Sequence, residues 1–516
     1  MSVTLSADQS IPAEGFDWCV TIGVGGSDPA LAHLFEQTFT EIMPEWQRLA
    51  RQWRKYSDAI LSHAPSCAPN SSDFGSMLVW DHLVRTWAQG RQRILVCCDD
   101  PWLFRQLAAH EGVITATPPP ALFVRSILLR LQGFVARMAL AVKAVGQALA
   151  WRGQVSVAKD APFILVYGHS ASDAAGLDGY FGAAMRKFSE LQRVQHTDTP
   201  TPLARRLVAD GRTYSLNAWG CPLFALKLLT AFWNPPAKDE YSWLIRRLQV
   251  FERASAQGAA IRWQTHCQER WIAAVKPLAV VWPWENHGWE RALVKAAAAH
   301  GARSIGYQHA LVGRQELNYI DSGASPDLIF CGGAVNARQL KRFGHTSARL
   351  VLAGAIRYAT PIKINQDQDG DVVFALPFAR SVAREMIDMA KQLAAQGYRV
   401  LIKDHPMAPT ALNSSGIETV DEWASLEKVS VVVYAAGTIG LEMALTGVPV
   451  VRYRPSGSLA LIAEPDGIDL PTAGAGDLPA ILADPPPPPK LDRDVIFSAP
   501  DWDRWREGLG LKGNNR

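Results

Sequence analysis

Apolar positions along the chain follow two periods. Short continuous runs rich in β-branched residues recur, and each ends in small or polar residues. They are "RILVCCDD" (93–100), "FILVYGHS" (163–170), "LAVVWPWE" (278–285), "RSIGYQHA" (303–310), "DLIFCGG" (327–333) and "RLVLAG" (349–354). The series continues with "DVVFALPF" (371–378), "RVLIKDHP" (399–406), "VSVVVYAA" (429–436) and "VPVVRYR" (448–454). Runs of this kind predict strands buried on both faces. Between them the spacing changes to a helical period over 287–300, 334–343, 380–396 and 437–446. Strand–helix alternation predicts an α/β fold built on parallel sheets with helices on both faces. Two sheets fit the length. They divide near 355–370, where "IRYATPIKINQDQDGD" loses apolar periodicity. The expected organisation is one domain over 1–355, a second over 370–482, and a tail over 483–516. The tail opens with the polyproline-type spacer "LADPPPPPKLDRD" (482–494) and closes with the helix-like "PDWDRWREGL". "TIGVGGSD" (21–28) lacks the GxGxxG spacing and predicts a loop.

One segment stands apart. No Asp or Glu occurs from Gly112 to Lys159, and 121–153 reads as one long helix inserted in the first domain. Ile127, Leu128, Leu131, Phe134, Val135, Met138, Val142, Val145 and Leu149 share one face. Arg125, Arg130, Arg137 and Lys143 lie on the other side. Charges recur too often for a membrane span. Two readings remain: a helix packed on its own domain, or a basic helix lying on an anionic membrane surface.

Composition narrows the class. The 516 residues exceed one ordinary core. Apolar residues make up 48% and charged residues 20%, a balance that excludes disorder as the main state. A net charge of +3 is too small to imply a nucleic-acid partner. The seven cysteines show no CxxC or metal-ligand spacing, which suits free thiols in the cytoplasm and predicts no metal site. The N-terminal stretch has neither the basic start nor the apolar core of a signal peptide.

Candidate chemistry gathers at predicted strand ends. "RVLIKDHPM" delivers Lys403, His405 and Pro406 to the carboxyl end of a strand, where open α/β sheets bind ligands. Pro406 ends the ladder there, and His405 can donate to a phosphate oxygen or simply cap a loop. After strand 430–434 come Ala435, Ala436, Gly437 and Thr438, then a helix. Small residues permit close backbone approach to an anion at a helix N-terminus, and Thr438 can bind phosphate or cap the helix. Glu442, one turn on, can accept from ribose hydroxyls. Upstream, "VVWPWENHGWERAL" (280–293) and "SIGYQHALVG" (304–313) put Glu285 and His309 after consecutive strands. A carboxylate and an imidazole at one edge suit general-base or nucleophilic work. Helix capping and strand-end packing are the plainer readings of the two.

Taken in order from Val280 to Tyr453, these motifs resemble the GT-B bacterial glycosyltransferases that use CMP-activated sugars, the Kdo and sialic-acid-like nonulosonate transferases of surface-carbohydrate biosynthesis. The resemblance implies two Rossmann-like domains and transfer of a 2-keto acid sugar from CMP to a glycan or lipid-linked acceptor, without a cofactor. It implies that His405 and Thr438 bind the CMP phosphate. The chain departs from the sialyltransferase pattern of an acidic pair followed by Gly: "WEN" has one acid, and "LDGYFG" (177–182) matches poorly. The catalytic carboxylate is therefore Glu285, Asp321 or Asp327. A CDP-polyol phosphotransferase on the same scaffold and a non-catalytic binding module are the alternatives.

Overall fold

The computed structural model of the protein describes all residues except 1–2, 24–28, 68–70, 154–158, 238–239, 322, 359–361, 406–407, 411–416, 457 and 512–516. Pro406 and most of the 21–28 loop therefore lie outside the described residues.

Among the described residues three parallel sheets are present where two were expected. A small N-terminal sheet holds β1 (Val3–Ser6), β2 (Trp18–Thr21), β3 (Ile94–Cys97) and β4 (Val113–Thr115), in the order β2-β3-β1-β4. Its core is helical and aromatic, with Trp46, Trp53, Trp80 and Trp233 fully buried. Several of the tryptophans are thus packing residues.

The second sheet has seven strands: β5 (Pro162–Val166), β6 (Gln192–Gln195), β7 (Thr213–Ser215), β8 (Ala279–Pro283), β9 (Arg303–Tyr307), β10 (Leu328–Cys331) and β11 (Leu350–Leu352). Its order is β11-β10-β9-β8-β5-β6-β7. The third has six: β12 (Gln366–Ala375), β13 (Val400–Lys403), β14 (Glu418–Thr419), β15 (Val429–Tyr434), β16 (Val450–Tyr453) and β17 (Thr472–Ala473), ordered β14-β13-β12-β15-β16-β17. Counted from the first strand of each, both read 3-2-1-4-5-6, the doubly wound nucleotide-binding order, with one extra edge strand in the seven-stranded sheet. These are the two Rossmann-like domains of a GT-B architecture. Each order reverses at one point, between β5 and β8 in one sheet and between β12 and β15 in the other. Ligand crevices form outside the strand ends at such points.

The tail does not stand alone. Beyond the proline spacer, Ser498 N donates to Gly332 O at 2.9 Å, and helix Trp502–Gly508 lies on the seven-stranded sheet. Trp505 is fully buried there against Phe330 at 4.6 Å and Tyr307 at 5.2 Å. The chain thus crosses between the two domains twice.

The long helix forms over Leu122–Trp151 and connects the small sheet to the seven-stranded one. Its orientation corrects the sequence reading. The buried face carries Gly133, Arg137, Ala144, Ala148 and Trp151. A Cβ on Gly133 would run into the Arg253 carbonyl, so glycine permits the close approach. Arg137, expected on the basic outer side, is buried and donates to Leu229 O at 3.0 Å and Arg253 O at 2.7 Å. The predicted apolar face, all but Val145, points outward, with Val142 74% and Leu128 61% exposed. Leu223 and Leu226, on the 3-10 helix packed beside it, are exposed too. Among the described residues no helix is long and apolar enough to cross a membrane.

Candidate functional site

The first wall lies at the β5/β8 reversal. β8 runs into Trp284, Glu285 and Asn286, and the turn holding Glu285 is fastened from three sides. Glu290 Oε2 accepts from Trp282 Nε1 at 3.0 Å, Glu285 N at 3.0 Å and Asn286 N at 2.9 Å. Asn286 takes a left-handed conformation, φ +59°, which asparagine tolerates better than most residues. Its amide donates to Asn318 O at 2.7 Å, and Asn318 Nδ2 returns a bond to Glu285 O at 2.8 Å. Burial pushes the Glu290 carboxyl up to about 7.

Glu285 projects from this turn into a crevice, with 43% of its side chain open to water although protein surrounds it. His287 Nε2 lies 2.8 Å from one carboxylate oxygen, and His309 Nε2 lies 3.6 Å from the other. β8 and β9 are adjacent and parallel, which makes Glu285 and His309 neighbours. His63, from the small-sheet region, stands edge-on to His287 at 5.4 Å. Burial alone would raise the Glu285 carboxyl; the His287 hydrogen bond and the His287 and His309 charges outweigh it and hold it at about 2. Burial opposes protonation of His287, but its bond to Glu285 wins and raises its pKa. Burial pushes His309 down to about 4, leaving it neutral. The cluster is a carboxylate hydrogen-bonded to one imidazole, with a second, neutral imidazole beside it. His287 Nδ1 and His309 Nδ1 are buried without a hydrogen-bond partner among the described residues.

The other carboxylates left open by the sequence have structural work. Asp327 accepts from Ser304 N and Oγ at 2.9 and 2.7 Å, at the amino end of β9, the far edge from the crevice. Asp321 accepts from Gly323 N and Ser325 Oγ. Asp178, in "LDGYFG", is buried and holds its own loop through Tyr180 N, Phe181 N and Arg193. That loop sets Tyr180 against His309, ring centres 5.5 Å apart.

The second wall lies at the β12/β15 reversal. A crevice there is lined by Phe378 and Ala379 after β12, His405 after β13, and Ala436 and Gly437 after β15, with Glu316 reaching in from the other domain. The His405 ring stands 5.6 Å from Phe378. Burial, then the charges of Arg357 and Lys403, lower its pKa, so it is a neutral donor. Gly437 has φ +112°, a turn that a side chain would strain, and its surroundings are open. Thr438 occupies the N-cap position but makes no capping hydrogen bond. The following helix, Ile439–Ala444, is six residues long, shorter than the predicted 437–446. Glu442 faces Tyr358 and Arg357 at the interdomain link. Lys403 ends β13, and Asp404 beside it is occupied by Thr410.

The two walls are tied together through residues 314–316. Glu316 lines the second crevice and senses the Glu285 charge, and burial pushes its own carboxyl up to about 8. Arg314 NH2 donates to Ile468 O and Asp469, both at 2.7 Å, and Gln315 accepts from Ile462 N at 2.9 Å. Sequence reasoning missed His63, Glu316 and the pairing role of His287. His287 stood within the quoted "WENHG", whereas His63 lies in a loop without periodic signal.

No family model and no curated protein matches the chain. Solved structures similar to it include the S. aureus MnaA–UDP complex, at 13% identity and a TM-score of 0.39, over 66% of this chain and 91% of that one. A putative UDP-N-acetylglucosamine 2-epimerase from Listeria monocytogenes also matches at 13% identity, TM-score 0.38, over 64% and 89%. The glycosyltransferase SsfS6 from Streptomyces sp. SF2575 matches at 13% identity, TM-score 0.33, over 68% and 96%.

Proposed function

We propose that the protein is a glycosyltransferase that moves a 2-keto acid sugar, Kdo or a nonulosonic acid, from a CMP donor to a bacterial surface glycan, lipid-linked glycan or glycoprotein. The observation that supports this reading is that each of the two large sheets presents a group of candidate residues at its strand-order reversal. One presents the Glu285–His287–His309 cluster, the other His405 and the open Gly437 turn. In this reading the nucleotide lies along the second crevice, with its phosphate near His405, Gly437 and Thr438 and a ribose near Glu442. A neutral imidazole and a six-residue helix supply little positive charge, which suits one phosphate better than a diphosphate. The Glu285–His287 pair accepts the proton of the acceptor hydroxyl as it attacks the anomeric carbon. The bond to the phosphate oxygen breaks, and His405 donates a hydrogen bond to the departing CMP.

Release of CMP from CMP-Kdo, CMP-sialic-acid-type sugars and CDP-glycerol tests the assignment. Turnover is expected with a CMP-sugar, and His405→Ala should lower it about 10²-fold with an unchanged melting curve. Release from CDP-glycerol alone, or binding without turnover, would replace this reading with the polyol or the non-catalytic one.

The acceptor partner follows from the outward apolar face of helix Leu122–Trp151. Single exposed apolar residues are ordinary, but a continuous face marks a contact surface. Arg130, Lys143 and Lys227 are exposed in the same region, and 112–159 carries no acid. This chemistry suits the anionic inner face of a membrane bearing a lipid-linked acceptor. Arg130→Glu with Lys143→Glu should release the protein from anionic vesicles, at about 1 kcal/mol for each charge removed. Arg137 is no part of the test because it is buried. Equal sedimentation of wild type and variant with those vesicles would refute the contact.

A further inference from the structure

The link between the two large domains carries a cation that neither sheet's chemistry accounts for. After β11 the backbone is pinned: Ile356 N donates to Tyr307 Oη at 2.9 Å, and the Tyr358 ring stacks on Phe497 at 4.2 Å. Tyr358 also packs in one apolar cluster with Leu311 from the first domain and Leu441 from the second. Arg357 lies between these two anchors. Its side chain is exposed, its guanidinium carbon sits 5.4 Å from the Tyr358 ring, and the charge of Glu442 acts on it without an ion pair within 4.0 Å among the described residues. Its charge lowers the pKa of His309 on one wall and of His405 on the other. A cation on a backbone fixed to Tyr307 at the end of β9, and followed by a tyrosine packed on Leu441 of the helix after Thr438, lies between the two strand-end sites and is placed as an anion receptor.

We propose that Arg357 binds the anionic oxygens at the reacting centre, either the donor phosphate or the carboxylate carried by the sugar's anomeric carbon. The inference rests on the CMP-sugar reading and deepens it. The short helix after Thr438 leaves the phosphate undersupplied with positive charge, and a 2-keto acid sugar adds a second negative group within a few bonds. Arg357 has the fork that grips either group with two hydrogen bonds.

The test is calorimetric titration of wild type, Arg357→Gln and Arg357→Lys with CMP and with uncharged cytidine, followed by KM for the CMP-sugar. A fall of about 10- to 100-fold in CMP affinity for Arg357→Gln, with cytidine unaffected and Arg357→Lys intermediate, assigns the phosphate. Unchanged CMP affinity with a KM raised by that factor assigns the carboxylate. Unchanged CMP affinity and unchanged KM would overturn the inference. If wild type binds no cytidine nucleotide, the CMP reading has failed by itself. UMP and UDP against uridine then test Arg357 separately, and equal affinity in wild type and Arg357→Gln overturns it there.

Discussion

Glu285→Gln should lower sugar transfer by about 10³-fold while leaving CMP affinity within twofold of wild type, the range expected for loss of a positioned acid–base group. The substitution keeps the size of the side chain and removes its charge. A carboxylate held at about 2 is a weak proton acceptor by itself, so its contribution runs through His287. The 2.8 Å bond to Nε2 fixes the ring and raises its pKa, leaving the buried Nδ1 as the second nitrogen. Without the charge the imidazole becomes less basic, so the acid limb of the rate profile should move to lower pH in whatever activity remains. Nothing in the turn should collapse, because Glu290 and Asn318 hold it through the backbone of residues 285 and 286. Transfer rates and CMP titrations on the purified variant measure both halves. Transfer within threefold of wild type ends the role of Glu285, and joint loss of transfer and nucleotide binding makes the residue structural.

Trp505→Ala should destabilise the seven-stranded domain by about 3–5 kcal/mol, the range for emptying a large aromatic site in a core. Trp505 is fully buried among Phe181, Tyr307 and Phe330, and its indole N–H donates to Ala353 O at 3.0 Å. Gly508 follows one turn later and packs on the Phe330 ring. Trp505→Phe should refill most of the volume and lose mainly the hydrogen bond, about 1 kcal/mol. With several cores in one chain a single unfolding transition is not expected. Hydrogen exchange of β9 and β10 therefore reports the change more directly than a global melt. Wild-type protection of those strands in Trp505→Ala would refute it.

The strands that carry the two walls were legible because parallel strands buried on both faces read as unbroken apolar runs. β8 and β13 show this, and β15 does so with one Ser, while β9, "RSIGY", is buried without being an apolar run; the residues after all four fall at the carboxyl edge. β6, "QRVQ", could not be read that way. Its Arg193 is fully buried and answers Asp178 at 3.4 Å and Asp210 at 3.0 Å. A buried charged residue on a strand is tolerated only through partners, here 15 and 17 residues away. The small N-terminal sheet was read only at β3, "ILVC": strands such as "VTLS" and "WCVT" mix polar with apolar residues and give no continuous run. The long helix was placed correctly but its face was not. Apolar residues usually point inward, yet here close backbone approach at Gly133 and the bonds of Arg137 decide the orientation. Arg357 fell inside the stretch read as a polar break, where lack of pattern resembles lack of purpose.

The returning tail also bears on the order in which the molecule can be completed. The ribosome finishes all seven strands of the first large sheet, and the whole of the second domain, before Trp505 exists. Until then Phe181, Tyr307 and Phe330 surround an open socket at the β9 and β10 face. Domains generally fold as units in the order of synthesis. This one must wait in an unsealed state for a plug made after the second domain. The first large domain is therefore open to chaperone capture and aggregation until Trp505 emerges, after the second domain has been made.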